Sequence, residues 1–207
     1  MATTTTNYGF DIPQSTDLVK DGATAIATLG QDIDTAMNTA LGTKKAGMVL
    51  LNTTSFSAVA SQSINSVFSS TYDNYKIIFV GSASTTISMQ FRLRVSGVDA
   101  SGSNYIRQRI LGTSTTVSAA RVTANAYLLG DLEFDPTTQI FELSNPAKAS
   151  KTGFITQALS IQTSGGTQTD LILTAGQHDL STAYDGFSLI PTSGTITGTV
   201  SVYGYNK

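Results

Sequence analysis

Apolar residues recur at two different spacings along this chain, and the change falls near residue 47. Val19, Ile26, Ile33 and Ala40 repeat every seven residues; Gly22, Leu29 and Ala36 repeat at the same interval, three positions later each time. This is an a/d seam, the spacing that zips helices together, and Met37 and Leu41 widen its C-terminal end. Thr16 or Asp17 can accept from the free N–H groups of the first turn. Gly42 is placed to end the helix, with Lys44 and Lys45 offsetting its negative end. Beyond Gly47 the period shortens to two. Ile87, Met89, Phe91, Leu93 and Val95 line one face of a predicted strand, with Ser88, Gln90, Arg92, Arg94 and Ser96 on the other. Near the C-terminus Ile196, Val200 and Val202 oppose Thr197, Thr199, Ser201 and Tyr203 in the same way.

Between these two, strands are predicted over Tyr75–Gly81, Asn104–Leu111, Arg121–Leu129, Leu132–Phe134, Gln139–Leu143, Phe154–Ile161, Asp170–Thr174 and Phe187–Ile190. Turn-forming pairs punctuate them: Ser101-Gly102, Asp135-Pro136, Asn145-Pro146, Gly165-Gly166 and Ser193-Gly194. Many short strands without a helical interruption predict a mainly β head, a β-sandwich of jelly-roll type, with an up-and-down barrel as the alternative. The expected organisation is an extended arm over residues 1–15, a helical oligomerisation stalk over 16–47 and a β-sandwich head over 48–207.

Tyr8, Phe10 and Ile12 alternate along the arm, and Pro13 disfavours helix at the residue before it. Such a segment suits a strand laid on another protein's surface, its alternative being a frayed terminus. A helix of this length with Gly22 and Gly30 inside it is marginal alone in water. It packs either on its own head or on copies of itself. The order of arm, helix and complete β domain favours copies, with Val19, Ile26, Leu29, Ile33, Ala36 and Met37 as the oligomerisation seam.

Charged residues make up only 13% of the chain and the net charge is −2, so no whole-molecule field draws it to nucleic acid or anionic membrane. Cysteine is absent, which removes disulfides, thiolate nucleophiles and Cys-ligated zinc together. No secretory signal is expected at Met1-Ala2-Thr3, and no apolar run nears the roughly 20 residues of a membrane span. Synthesis in a cytoplasm, without membrane insertion, is the expectation.

Candidate chemistry is sparse. Arg92 and Arg94 share one strand face, Arg107 and Arg109 another; guanidinium forks of this kind grip anionic sugars or phosphates, or pair across strands with carboxylates. Asp131, Glu133 and Asp135 alternate on one face and offer oxygens to Ca²⁺, or the same cross-strand pairing. Among Tyr105, Tyr127, Tyr184, Tyr203 and Tyr205, rings for sugar stacking are sought, and Tyr184-Asp185-Gly186 in a turn is the first choice for a receptor contact. His178, the single histidine, sits beside Asp179 and reads as a solvent-exposed loop residue. No nucleophile elbow, Walker loop, dinucleotide fingerprint, HExxH or EF-hand loop occurs, so no enzyme, catalytic residue, metal or cofactor is expected.

The run Asn7-Tyr8-Gly9-Phe10-Asp11-Ile12-Pro13, the helix that follows it and Gly30-Gln31-Asp32-Ile33-Asp34 resemble the opening of tailed-phage fibre and virion-appendage proteins. Ser193-Gly194-Thr195-Ile196-Thr197-Gly198-Thr199-Val200-Ser201-Val202-Tyr203-Gly204-Tyr205 is similar to the last strand of their heads, and Tyr72-Asp73-Asn74-Tyr75-Lys76-Ile77 resembles one of their internal strands. The resemblance implies a homotrimeric virion protein. Its arm, through Tyr8, Phe10, Ile12 and Pro13, would dock on another virion protein while the head faces outward. The family's receptor-binding loops carry over to no residue here; a host surface glycan is the expected receptor, and Tyr184, Asp185, Arg107 and Arg109 are candidate contacts by residue type alone. A capsid decoration, collar or cement protein clamping its virion neighbours is the alternative; a polysaccharide depolymerase is the third.

Overall fold

The computed structural model describes residues 3–6, 8–12, 18–41, 47–132, 136–161 and 169–207. Pro13, the capping residues Thr16, Asp17, Gly42, Lys44 and Lys45, the stretch Glu133, Phe134 and Asp135, and the Gly165-Gly166 turn lie outside the described residues. So do the side chains of Val19 and Leu41. The chain divides into two compact units, residues 1–46 and 47–207.

In the first unit the helix α1 spans Val19–Leu41, and Asp21 in its first turn complements the positive end of the helix dipole. The arm differs from a single extended strand. Strand β1 (Thr3–Thr4) pairs antiparallel with β2 (Asp11–Ile12), so the segment doubles back into a small hairpin. Gly9 makes this reversal at a φ of 68°, a left-handed conformation that glycine adopts without a Cβ penalty. Thr5 closes the loop: its N–H donates to the Phe10 carbonyl at 2.9 Å, and its hydroxyl accepts from the Phe10 N–H at 2.9 Å.

The described residues of the second unit form strands and turns, with no helix among them. Its strands are β3 (Met48–Val59), β4 (Gln62–Ile64), β5 (Asn74–Ala83), β6 (Ile87–Val95), β7 (Val98–Asp99), β8 (Tyr105–Thr113), β9 (Thr116–Ala124), β10 (Tyr127–Leu132), β11 (Thr137–Ser144), β12 (Thr152–Ile161), β13 (Thr169–His178), β14 (Gly186–Pro191) and β15 (Ile196–Tyr205). They form two antiparallel sheets. The larger runs β3-β15-β5-β11-β12-β13-β8-β9; the smaller runs β10-β6-β14-β4, with β7 beside β6. The strand predicted over Arg121–Leu129 is two strands. The chain leaves the larger sheet after Ala124, bends at Asn125, and enters the smaller sheet at Tyr127.

The core lies where the alternation places it, except that Val95, at the end of the β6 row, is exposed. Tyr75, Ile77 and Phe79 of β5, Ile87, Met89, Phe91 and Leu93 of β6, and Ile196, Val200 and Val202 of β15 are all buried. Phe91 is its aromatic centre, with ring centroids 5.1 Å from Phe141, 5.3 Å from Tyr127 and 5.7 Å from Phe154. Full burial of each such side chain stabilises the fold by about 1.5–3 kcal/mol. The segment entering β5 is locked separately. The Tyr75 hydroxyl accepts from the Ser69 N–H at 2.7 Å and donates to the Ser69 carbonyl at 2.8 Å, while Asp73 holds Lys148 at 2.9 Å and Lys207 at 2.8 Å. Those two ammonium groups hold the Asp73 carboxyl below its ordinary pKa.

Candidate functional site

Within the first unit, the seam faces outward. Ile26 is 67% exposed and Met37 is 55% exposed; Ile33 is exposed as well, with Leu29 and Ala36 half-buried. The hairpin contributes to the same surface. Tyr8 and Phe10 stack with centroids 5.6 Å apart, and together with Ile33, Ala36, Met37 and Ala40 they line an apolar groove of about 320 Å³. Tyr8 and Ile12 are both exposed. Residues expected to dock the arm and residues expected to zip the helix therefore share one surface, a connection invisible while the arm is read as an extended strand.

In the second unit most of the charged candidates are occupied. Arg94 pairs with Asp99, donates to Ser188 Oγ at 2.7 Å and to Asn65 Oδ1 at 3.0 Å, and also bonds the Gly97 carbonyl. Ser188 donates in turn to Asp99 at 2.8 Å, so this arginine is the hub of a cross-strand network on the smaller sheet. Arg92 donates to the Asn125 carbonyl at 2.9 Å. Arg107 and Arg109 are half-buried on the inner face of β8 rather than on a solvent face. Burial lowers the Arg107 pKa from its ordinary value. Asp131 accepts from Ser88 Oγ at 2.6 Å. Among the described residues no group of three acidic or histidine side chains gathers around a point where a cation would sit.

The preferred receptor contact does not stand. Tyr184 is buried, and its hydroxyl lies 3.1 Å from His178 Nδ1. Asp185 is built into the fold: its carbonyl accepts from the Val67 and Phe68 N–H groups, and its carboxylate accepts from the Ser96 N–H at 2.9 Å. His178 likewise is no loop histidine. It ends β13, fully buried, with the Tyr105 ring 4.4 Å and the Tyr184 ring 5.2 Å from its own, both edge-on. Burial lowers its pKa from the ordinary 6.5, while Asp179 pulls the other way. Tyr105 and Tyr127 are buried too, leaving Tyr203 and Tyr205 as the half-exposed pair of the five tyrosines.

Apart from Arg107, sequence reasoning missed a groove on the outer face of the larger sheet. Register sets Ala175 opposite Gln108 and Gln108 opposite Arg121, with Gln177 and Ile106 paired in the adjoining row. Together with Gly176 and Arg107, the latter an expected receptor contact, they line an open groove of about 520 Å³. Amide and guanidinium donors over an aliphatic floor suit a ligand rich in hydroxyl and carboxylate oxygens. β8 and β13 supply three residues each and β9 supplies Arg121, so the groove exists only once β13 pairs with the β8–β9 hairpin, distant from it in the chain. Among the described residues no helix is long and apolar enough to cross a membrane. Comparison of the chain with protein-family models finds no match, and comparison with curated proteins finds none.

Proposed function

We propose that the chain is a structural virion protein, a homotrimeric tailed-phage fibre or spike whose head attaches to a host surface glycan. One observation carries this reading: a heptad seam that stays exposed in a unit of its own, ahead of a complete β domain. An amphipathic helix in water leaves its apolar stripe open only when something else covers it, and coiled-coil spacing makes sister helices the natural cover.

The strand order supports a jelly roll for the head. Setting aside β7, β8 and β9 and the pair β12–β13, eight strands remain. They lie in the orders β3-β15-β5-β11 and β4-β14-β6-β10. Counted along the chain these are first-eighth-third-sixth and second-seventh-fourth-fifth, two interlocked Greek keys. In this reading β8–β9 and β12–β13 are hairpin insertions that extend one sheet, and they carry the groove of Gln108, Arg121 and Gln177. That groove is the seat for the glycan, in place of Tyr184 and Asp185. Three such heads on one stalk raise the effective concentration of weak contacts, which is how a shallow groove holds a cell surface.

Binding of labelled protein to host cells and to virions tests the proposal. Ile26→Asp is expected to separate the copies and weaken cell attachment by about 10²–10⁴-fold through lost avidity. Deleting residues 1–15 is expected to abolish attachment to virions and leave cell attachment intact. Attachment to virion proteins alone would instead favour a decoration, collar or cement role, and shortened host polysaccharide would favour a depolymerase.

A further inference from the structure

Strands β12 and β13 are apolar on both faces. Thr152 and Thr156 of β12, and Asp170, Thr174 and His178 of β13, point into the sandwich beside Phe154, Ala158 and Ile172, whereas Ile155, Leu159, Leu171 and Leu173 point out. Because side chains alternate with a period of two, a one-residue shift in pairing would exchange these two faces, and the fold does not take it. The register is fixed by ten paired positions between β12 and β13. A solvated sheet face is ordinarily its polar one. Here the leucines are outside by construction.

The outward residues are contiguous. Leu159 opposes Leu171, Leu171 opposes Gly112, and Gly112 opposes Val117; in the next row Leu173 opposes Ile110. Ile110, Val117, Ile155, Leu159, Leu171 and Leu173 are between 37% and 74% exposed. They form an apolar patch on the order of 500 Å², a size that marks an interaction surface. Its centre carries no charge, although Gln157 stands within it between Leu159 and Ile155; Gln108 and Arg121 form its polar margin on one side. An apolar centre with a polar margin is the anatomy of a protein–protein interface.

We infer that this face packs against the same face of sister copies, so that the heads, and not only the stalks, are in contact. The inference rests on the trimer reading above. A patch this small falls short of the ~800 Å² per partner of a free-standing interface. Tethered by a shared stalk, however, the heads meet at an effective concentration in the millimolar range, and a patch of this size then suffices. The surface therefore fits a partner already held in place, and a second copy of this chain is that partner. The groove of Gln108, Arg121 and Gln177 lies at the margin of the contact, open to solvent between neighbouring heads.

The absence of cysteine makes the test direct. Leu171→Cys in the full-length chain is labelled with pyrene, and Val98→Cys, exposed on β7 of the smaller sheet, serves as the control. Excimer emission from position 171 and none from position 98, in an assembled protein, is the expected result. An assembled protein that emits no excimer at 171, or emits equally at both positions, overturns the head contact and leaves the stalk intact. A monomeric mass overturns both. Independently, Leu171→Lys with Leu173→Lys is expected to raise the concentration at which the assembly dissociates at least tenfold; an unchanged value contradicts the inference.

Discussion

Strand β6 and helix α1 each carry a regular apolar row, and the two rows meet opposite fates. In β6 Ile87, Met89, Phe91 and Leu93 are all within 4% of complete burial, whereas on α1 Ile26 and Met37 remain more than half exposed. The difference is one of closure. Two facing sheets cover each other's inner faces within a single chain. Within its own unit α1 meets only the small hairpin of the arm, which borders Ile33, Ala36, Met37 and Ala40 and leaves Ile26 open. Strands β12 and β13 lie between these extremes, with threonines inside and leucines outside.

Breaking β6 should have the largest effect. Phe91→Ala removes the ring at the centre of the aromatic cluster and is expected to cost about 3–5 kcal/mol in urea unfolding of the β domain. The Ile26→Asp change should leave that transition in place. Next in size is Gly204→Ala. A Cβ there would lie 2.6 Å from the ring of Tyr72, forcing the ring off its seat, with a loss of about 1–3 kcal/mol measured in the same way.

Smaller, and opposite in sign, is the repair of the inner face of β12 and β13. The hydroxyl oxygens of Thr156 and Thr174, directly opposed in register, are buried without a protein partner. Changing both to valine keeps the shape and removes two buried polar groups, and it should raise stability by about 1 kcal/mol per site. The gain would show that β12 and β13 tolerate polar interiors for the sake of their register, not for stability.

The smallest effect is a pH slope. Burial lowers the His178 pKa below 6.5, so the unfolded chain takes up the proton first. Stability is then full above about pH 6.5 and falls as pH drops below it. Asp73 and Asp179, whose pKa values are lowered from 3.8, add their own loss only in more acid solution. Since His178 is the single histidine, His178→Asn should flatten the urea midpoint between about pH 7 and pH 5.

How much of this was legible follows from where each signal resides. The alternation of β6 and β15 is local, and it identifies their buried faces except at Val95, where β6 ends and the side chain is exposed. The seam of α1 is equally local. The break between β9 and β10 carries no glycine or proline, only Ala124-Asn125-Ala126, so nothing in the residues announces it. His178 looked exposed because its aromatic neighbours, Tyr105 and Tyr184, come from separate segments. Threonine concealed the polar positions inside β12 and β13, since it is a strong strand former that suits either face. The hairpin in the arm was obscured for a similar reason: alternation of Tyr8, Phe10 and Ile12 fits a strand, while Gly9 between them makes the reversal.

Sedimentation equilibrium of the full-length chain beside its Ile26→Asp, Ile33→Asp variant tests the central claim most directly. The account predicts a trimeric mass for the native chain at micromolar concentration and a monomer with an intact β domain for the variant. A native chain that sediments as a monomer, or a variant with the native mass, would contradict it.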